Sequence, residues 1–400
     1  MYMDNKEKLG FPYALLMVFL GVPIISGTNR QYIAIFVVTF LIVAFNFTYK
    51  IRLRSSIEKL PLWFLFFWVY GIGIGILRGN NTSDIFQNFA GMSVYVLCIV
   101  LLNTKRFRIR SLYKAIYYAS IIVCFEVIIV YLFRIRRMTP PWPLSNVGYN
   151  NWTSTVYTGI AALIFVLEAI SLWNLLHETE RRDKFRNLCL LCLSAVSIFS
   201  TMDSGGYILG YIVVLATVLI LSLKTNKSSP KYWILSAVFL LIISAFAIYY
   251  EYRNSVVTSI FSISASGNVK RYYQIGVVLD RFKLLGNGLG SHLEYSYGVK
   301  NYDTYGLEIS YLNLIDKFGI FGFVLILLYF FSFVKPIRMI AKGKGIAELS
   351  VIAIGLQGYF FVALGNPVIY APYNVVLHAF AIMFMGYNII QAKSENEVYP

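Results

Sequence analysis

Charge is what this sequence has least of. Asp, Glu, Lys and Arg make up 14% of its 400 residues, where a soluble domain carries about a quarter. That shortage excludes an ordinary water-soluble domain of this length. Acidic residues are the scarcer sign, 19 against 35 basic ones, and there are only three His and four Cys. The cysteines (Cys98, Cys124, Cys189 and Cys192) all lie in apolar runs. The CxxC of "NLCLLCLSAV" has no polar company, so it reads as small residues packed between helices rather than as redox or metal chemistry. No small-residue cleavage site follows the first apolar run, which therefore reads as an uncleaved helix. Internal repeats, low-complexity tracts and a separate soluble domain are also lacking.

Long apolar runs are what the chain has in abundance: 58% of residues are hydrophobic. About twelve runs are long enough to cross roughly 30 Å of hydrocarbon: 11–27, 31–48, 60–77, 84–102, 112–133, 153–176, 187–203, 206–223, 232–250, 307–333, 347–364 and 373–391. Lipid offers no hydrogen bonds to the backbone, so these runs are expected to be helices. The expected fold is an all-α polytopic membrane protein forming one domain over 1–400.

Basic loops orient the bundle. Lys and Arg concentrate around 49–59, 103–111, 177–186, 224–231 and 334–346, and alternate loops are mostly poor in them. Basic loops stay cytoplasmic, which puts both termini there. The net charge of +16 is then mostly topology and contact with anionic headgroups, and a nucleic-acid partner is not expected.

Two outer loops break the pattern. Residues 134–151, "RIRRMTPPWPLSNVGYNN", set Arg134, Arg136 and Arg137 on the outer side, where guanidinium groups suit a phosphate by their bidentate fork. Residues 251–306 form the longest polar stretch. Within it "NVKRYYQIGVVLDRFKLLG" has Tyr272, Ile275, Leu279 and Phe282 at helical spacing, predicting an amphipathic helix with Lys270, Gln274 and Arg281 on the polar face. Arg271 falls among the apolar positions, where it must snorkel or meet an anion. "LGNGLGSHLEY" follows. Its Gly286, Gly288 and Gly290 read GxGxG. That is neither a dinucleotide fingerprint nor a Walker A loop, and it suits tight turning under a ligand or against the bundle. Glu308 stands at the mouth of the tenth helix, where a carboxylate either caps the helix or does chemistry.

Arg271, then "LLGNGLG", a polar loop, Glu308 with Tyr311 and Leu312, and "GIFG" at 319–322 together resemble the membrane-embedded O-antigen polymerases, relatives of the O-antigen ligases. The likeness of the motifs covers about 50 residues, and the twelve-helix layout with two long outer loops extends it. The resemblance implies a glycosyltransferase that polymerises undecaprenyl-diphosphate-linked repeat units at the periplasmic face of the bacterial inner membrane, in O-antigen, lipopolysaccharide or capsule synthesis. Glu308, where ligases usually carry His, favours a polymerase over a ligase. One departure is "STMDSGG" at 200–206, where many relatives have a Ser-Arg pair; Asp203 occupies the region.

The outer side has no tight Asp, Glu or His cluster suited to a metal, so arginines, rather than a metal or other cofactor, are expected to neutralise the leaving diphosphate that the resemblance implies. Arg271 is the first choice, then Arg281 and the 134–137 cluster. Glu308 is the expected acceptor base and His292 the next. A double displacement would need a second carboxylate such as Glu294 or Asp303. Tyr272 and its neighbouring tyrosines offer faces on which sugar rings stack. A chain-length regulator is a possible protein partner. Glu126 and Glu168, inside apolar helices, keep a proton-coupled transporter or flippase as the rival reading.

Overall fold

A computed structural model describes residues 9–23, 28–46, 55–86, 89–102, 108–136, 138–147, 161–201, 205–225, 266–297, 300–304, 307, 309–365, 369 and 371–398. The ninth expected span and Glu308, Arg137 and Asp203 lie outside them.

The described chain is a membrane-protein helix bundle. Its elements are α1 (Phe11–Gly21), α2 (Thr28–Asn46), α3 (Ser56–Leu77), α4 (Thr82–Phe86), α5 (Phe89–Leu102), α6 (Ile109–Ile135), α7 (Leu163–His177), α8 (Arg181–Ser200) and α9 (Gly205–Thr225). After these come α10 (Ser266–Asp280), a hairpin of β1 (Leu293–Tyr297) and β2 (Lys300–Thr304), α11 (Ser310–Phe318), α12 (Ile320–Ala341), α13 (Ala347–Leu356), α14 (Tyr359–Val362) and α15 (Pro372–Val398). Five helices (α3, α6, α9, α12 and α15) contain stretches long and apolar enough to cross a membrane, and shorter apolar helices fill out the bundle.

The core sits around α7, whose residues from Leu163 to Leu176 are all buried. It packs against α6, α8, α9 and α13. Gly355 of α13 permits the closest approach: a Cβ there would stand 2.7 Å from the Val166 Cα. Several polar groups inside are paired, as lipid favours. The Tyr95 hydroxyl meets His378 Nδ1 at 2.6 Å, and Ser332 Oγ meets His378 Nε2 at 2.9 Å and donates to Gln357 Oε1 at 2.6 Å. This chain of contacts joins α5, α15, α12 and α13. Helix α3 begins at a capping box: Glu58 N donates to Ser55 Oγ (3.3 Å) and Ser55 N to the Glu58 carboxylate (2.6 Å).

Four expectations need correction. The expected helix 307–333 is two helices, α11 and α12, broken at Gly319 with φ +59°. Gly286 N and the Leu284 and Lys283 carbonyls crowd Gly319 there, so a Cβ would lie 2.2 Å from Leu284 O. Helix α12 then runs on to Ala341, through part of the stretch read as a basic loop. The long loop holds an antiparallel hairpin, registered Leu293 to Thr304 and Glu294 to Asp303, an exception to an all-α chain. Cys189 and Cys192 are exposed on α8 rather than packed between helices.

The fourth correction concerns α10. Its buried residues are Gln274 and Val278, each 1% exposed, while Tyr272 (52%), Leu279 (65%) and Phe282 (42%) face outward. The face read as polar turns in, and much of the apolar stripe turns out. Inward, Val278 packs with Leu293 and Leu307, and the two arginines at the ends of this face each find a partner in the bundle.

Candidate functional site

At one end of the bundle the outgoing end of α3, helix α4, the glycine turn and α11 converge. The turn docks on two helices through its backbone. Leu289 N donates to Gly71 O of α3 (2.9 Å), and Asn287 N and Gly288 N donate to Asp316 O and Lys317 O of α11 (both 2.9 Å). Asn80 clamps it from α3's end, its side-chain amide donating to the carbonyls of Asn287 (2.9 Å) and Leu289 (2.8 Å). This close docking explains the glycines. Gly288 has φ +78°, and a Cβ there would stand 2.3 Å from Gly75 N. A Cβ on Gly286 would meet Lys317 O at 2.3 Å, and one on Gly290 the Ile85 side chain at 2.7 Å. The three glycines face protein backbone or side chain at the Cβ position.

Arg281 locks the turn. Its Nε and Nη2 donate to the two Asp316 oxygens at 2.9 and 2.7 Å, and its Nη1 donates to His292 O. Asp316, 2% exposed, also accepts from Asn287 Nδ2 at 3.0 Å. Beneath it the buried Lys317 donates to the Ser291 carbonyl and to Ser291 Oγ, the latter at 2.9 Å. A buried, bidentate, fully bonded carboxylate of this kind fixes geometry.

Above this frame opens a cavity of about 440 Å³ lined by Leu77, Arg78, Asn80, Arg281, Lys283, Asn287, Ser291 and His292. Such a volume is usual for a ligand pocket. Three of its lining side chains are cationic and none is acidic. His292 Nε2 lies 3.0 Å from Asp84 Oδ2 of α4. An aspartate there holds the imidazole orientation, and a bond from Nε2–H leaves Nδ1 as the acceptor.

The sequence-expected residues are divided by the structure. Arg281, His292 and the glycine turn meet at the cavity. Arg271 does not line it. Ten residues away on α10, about 15 Å along the axis, its Nη2 donates to Gly365 O at 2.8 Å. Residues near Glu308 approach the same segment, since Ser310 N donates to Ala363 O (3.1 Å) and Ile369 N to Ser310 Oγ (3.2 Å). Tyr272 is exposed on the far face of α10. Arg134 lies in the last turn of α6, and Arg136 is exposed just beyond it and is not part of the cavity wall. Glu294 is exposed at the hairpin. Glu168 is wholly buried, and its carboxylate has no hydrogen-bond partner among the described residues.

Sequence reasoning missed Arg78, Asn80 and Asp84. A signal was present: "LRGNNTSD" puts an arginine and a carboxylate in a short loop on the side where basic residues are few. Nothing in it pointed to His292, 208 residues onward.

No protein-family model matches the chain. A protein named O-antigen polymerase from Shigella flexneri is 22% identical to it over 411 aligned residues, covering 96% of each. The likeness first read between Arg271 and Gly322 therefore continues along nearly the whole chain, which resembles an O-antigen polymerase from one end to the other.

Proposed function

We propose that this protein polymerises lipid-diphosphate-linked oligosaccharide repeat units in O-antigen synthesis, at the periplasmic face of the inner membrane. The observation that carries the reading is the cationic cavity beside the Asp84–His292 pair. The alternation of basic loops along the sequence supports the orientation, and the full-length likeness to an O-antigen polymerase supports the substrate class.

In this reading Arg78, Arg281 and Lys283 neutralise the donor's diphosphate. His292, held by Asp84, accepts the proton of the acceptor sugar's hydroxyl at Nδ1. The hydroxyl oxygen forms a bond to the donor's anomeric carbon as the bond from that carbon to the diphosphate oxygen breaks. The electron pair leaves with the diphosphate, whose added charge the three cations stabilise. A direct attack inverts the anomeric centre. Arg271 belongs to the acceptor side, where its Nη2 meets Gly365 O. The charge compensation comes from side chains, so no divalent metal is required.

The test is complementation of a deletion strain, read as the surface polysaccharide ladder. Restored long chains with the wild type, and single-repeat capping with His292→Gln made at normal level, support the proposal. Accumulated long lipid-linked chains in the deletion strain indicate a ligase, and unpolymerised repeats trapped inside the cell indicate a flippase. Either overturns it.

A further inference from the structure

The glycine turn belongs by sequence to a polar loop, yet it contacts the spanning helix α3 well below its end. Leu289 bonds to Gly71, six residues before the end of α3, which is about 9 Å down the axis. The Tyr70 hydroxyl donates to Leu285 O at 2.8 Å, at the same level. The elbow at 282–289 also meets the start of helix α12, where the Ile320 N–H donates to Leu284 O at 2.9 Å.

Irregular backbone at that depth must have its polar groups met by protein. Here they are. Gly286, Asn287, Gly288 and Leu289 donate to Lys283, Asp316, Lys317 and Gly71, and the carbonyls of 284, 285, 287 and 289 accept from Ile320, Tyr70 and Asn80. Apolar side chains dominate the outward surface: Leu279 is 65% exposed, Leu284 64% and Leu285 50%, while the exposed Lys283 turns to the cavity and Asp280 is exposed at the end of α10. The three leucines continue the exposed apolar surface of α12, where Ile320, Phe323 and Leu327 face out. A stripe of this kind in water would be a liability. Beside the exposed apolar face of a helix able to cross the membrane, it is placed to meet hydrocarbon.

We infer that the elbow formed by 279–289 is a re-entrant, membrane-immersed element whose Leu279, Phe282, Leu284 and Leu285 contact the acyl chains of the outer leaflet. The cavity, walled by Leu77, Arg78 and Asn80 at the end of α3, then opens at headgroup level, and a lipid-borne diphosphate reaches it without leaving the bilayer. The inference rests on the orientation proposed above, but lipid contact is measured without catalysis.

The experiment uses the purified full chain in nanodiscs of phosphatidylethanolamine and phosphatidylglycerol, with exposed Cys189 and Cys192 replaced by serine. A bimane probe is attached at Leu284→Cys, Leu279→Cys or Glu294→Cys, and variants that elute as the parent protein are compared. Acyl chains brominated near the headgroup should quench the probe at 284 and 279 several-fold more than aqueous iodide does, with the opposite order at 294. Iodide quenching at 284 equal to that at 294 would place the elbow in water and overturn the inference. Protection of 284 from both quenchers would overturn it too, because protein, whether another segment or a second copy, would then cover the stripe. The polysaccharide ladder, scored separately, reports on the polymerase reading alone.

Discussion

Asp316 is the keystone of the cavity wall, and its removal has a calculable consequence. Its carboxylate is 2% exposed and takes two bonds from Arg281, which is 26% exposed, and one from Asn287, with Lys317 Nζ at 3.8 Å. Asp316→Asn leaves two cations facing a neutral amide. Breaking a buried pair from one side costs about 3–5 kcal/mol; Arg281's remaining contact with water puts the expectation at about 3 kcal/mol. Arg281→Met removes one cation but leaves Asp316 its bonds to Asn287 and its nearness to Lys317, so about 2 kcal/mol is expected. The double variant should lose about 3 kcal/mol rather than the sum, a coupling of about 2 kcal/mol. The assay is SDS titration in mixed micelles, followed by tryptophan fluorescence. A coupling below about 0.5 kcal/mol would refute the reasoning, since the pair would then be no more than two neighbours.

Gly288→Ala should prevent accumulation of folded protein, because φ +78° and the Gly75 backbone both oppose a side chain. Gly79→Ala, at φ +71° with open space around it, should cost only about 1 kcal/mol, and equal yields of the two would count against the docking argument. Arg78→Gln should weaken capture of a polyprenyl diphosphate by about tenfold or more, as expected for one lost charge-assisted bond, with unchanged affinity as the contrary result. Arg271→Lys keeps the charge but loses the fork that reaches Gly365, so long chains should be strongly reduced, while a normal ladder from normally expressed protein would remove Arg271 from the site. In a purified assay, His292→Gln and Asp84→Asn should each slow polymerisation, His292→Gln by about 100-fold, and wild-type activity should persist in chelator; loss restored by magnesium would assign the cationic role to a metal instead.

Much of the bundle was legible in one dimension. The positions of α1, α2, α3, α6, α7, α9, α13 and α15 follow from apolar runs, because the partition of a segment into lipid depends on that segment's own side chains. Basic loops similarly carry the expected orientation. The break at Gly319 was not legible: glycine is common in membrane helices, and it breaks this one because the Leu284 and Gly286 backbones need its space.

The α10 helix shows the deeper limit. Its period was legible in the sequence and the direction of its faces was not. In water an apolar stripe points to the core, but beside a bilayer the surroundings are also apolar, so periodicity alone does not say which face is inside. The tertiary structure decided that Arg281 meets Asp316, that Arg271 goes to Gly365, and that Asp84 holds His292. Those are properties of pairs of residues distant in sequence, set when helices pack and backbone approaches backbone. Membership in the membrane, the rough helix positions and the family likeness were properties of the chain read residue by residue, and the sequence by itself determined them.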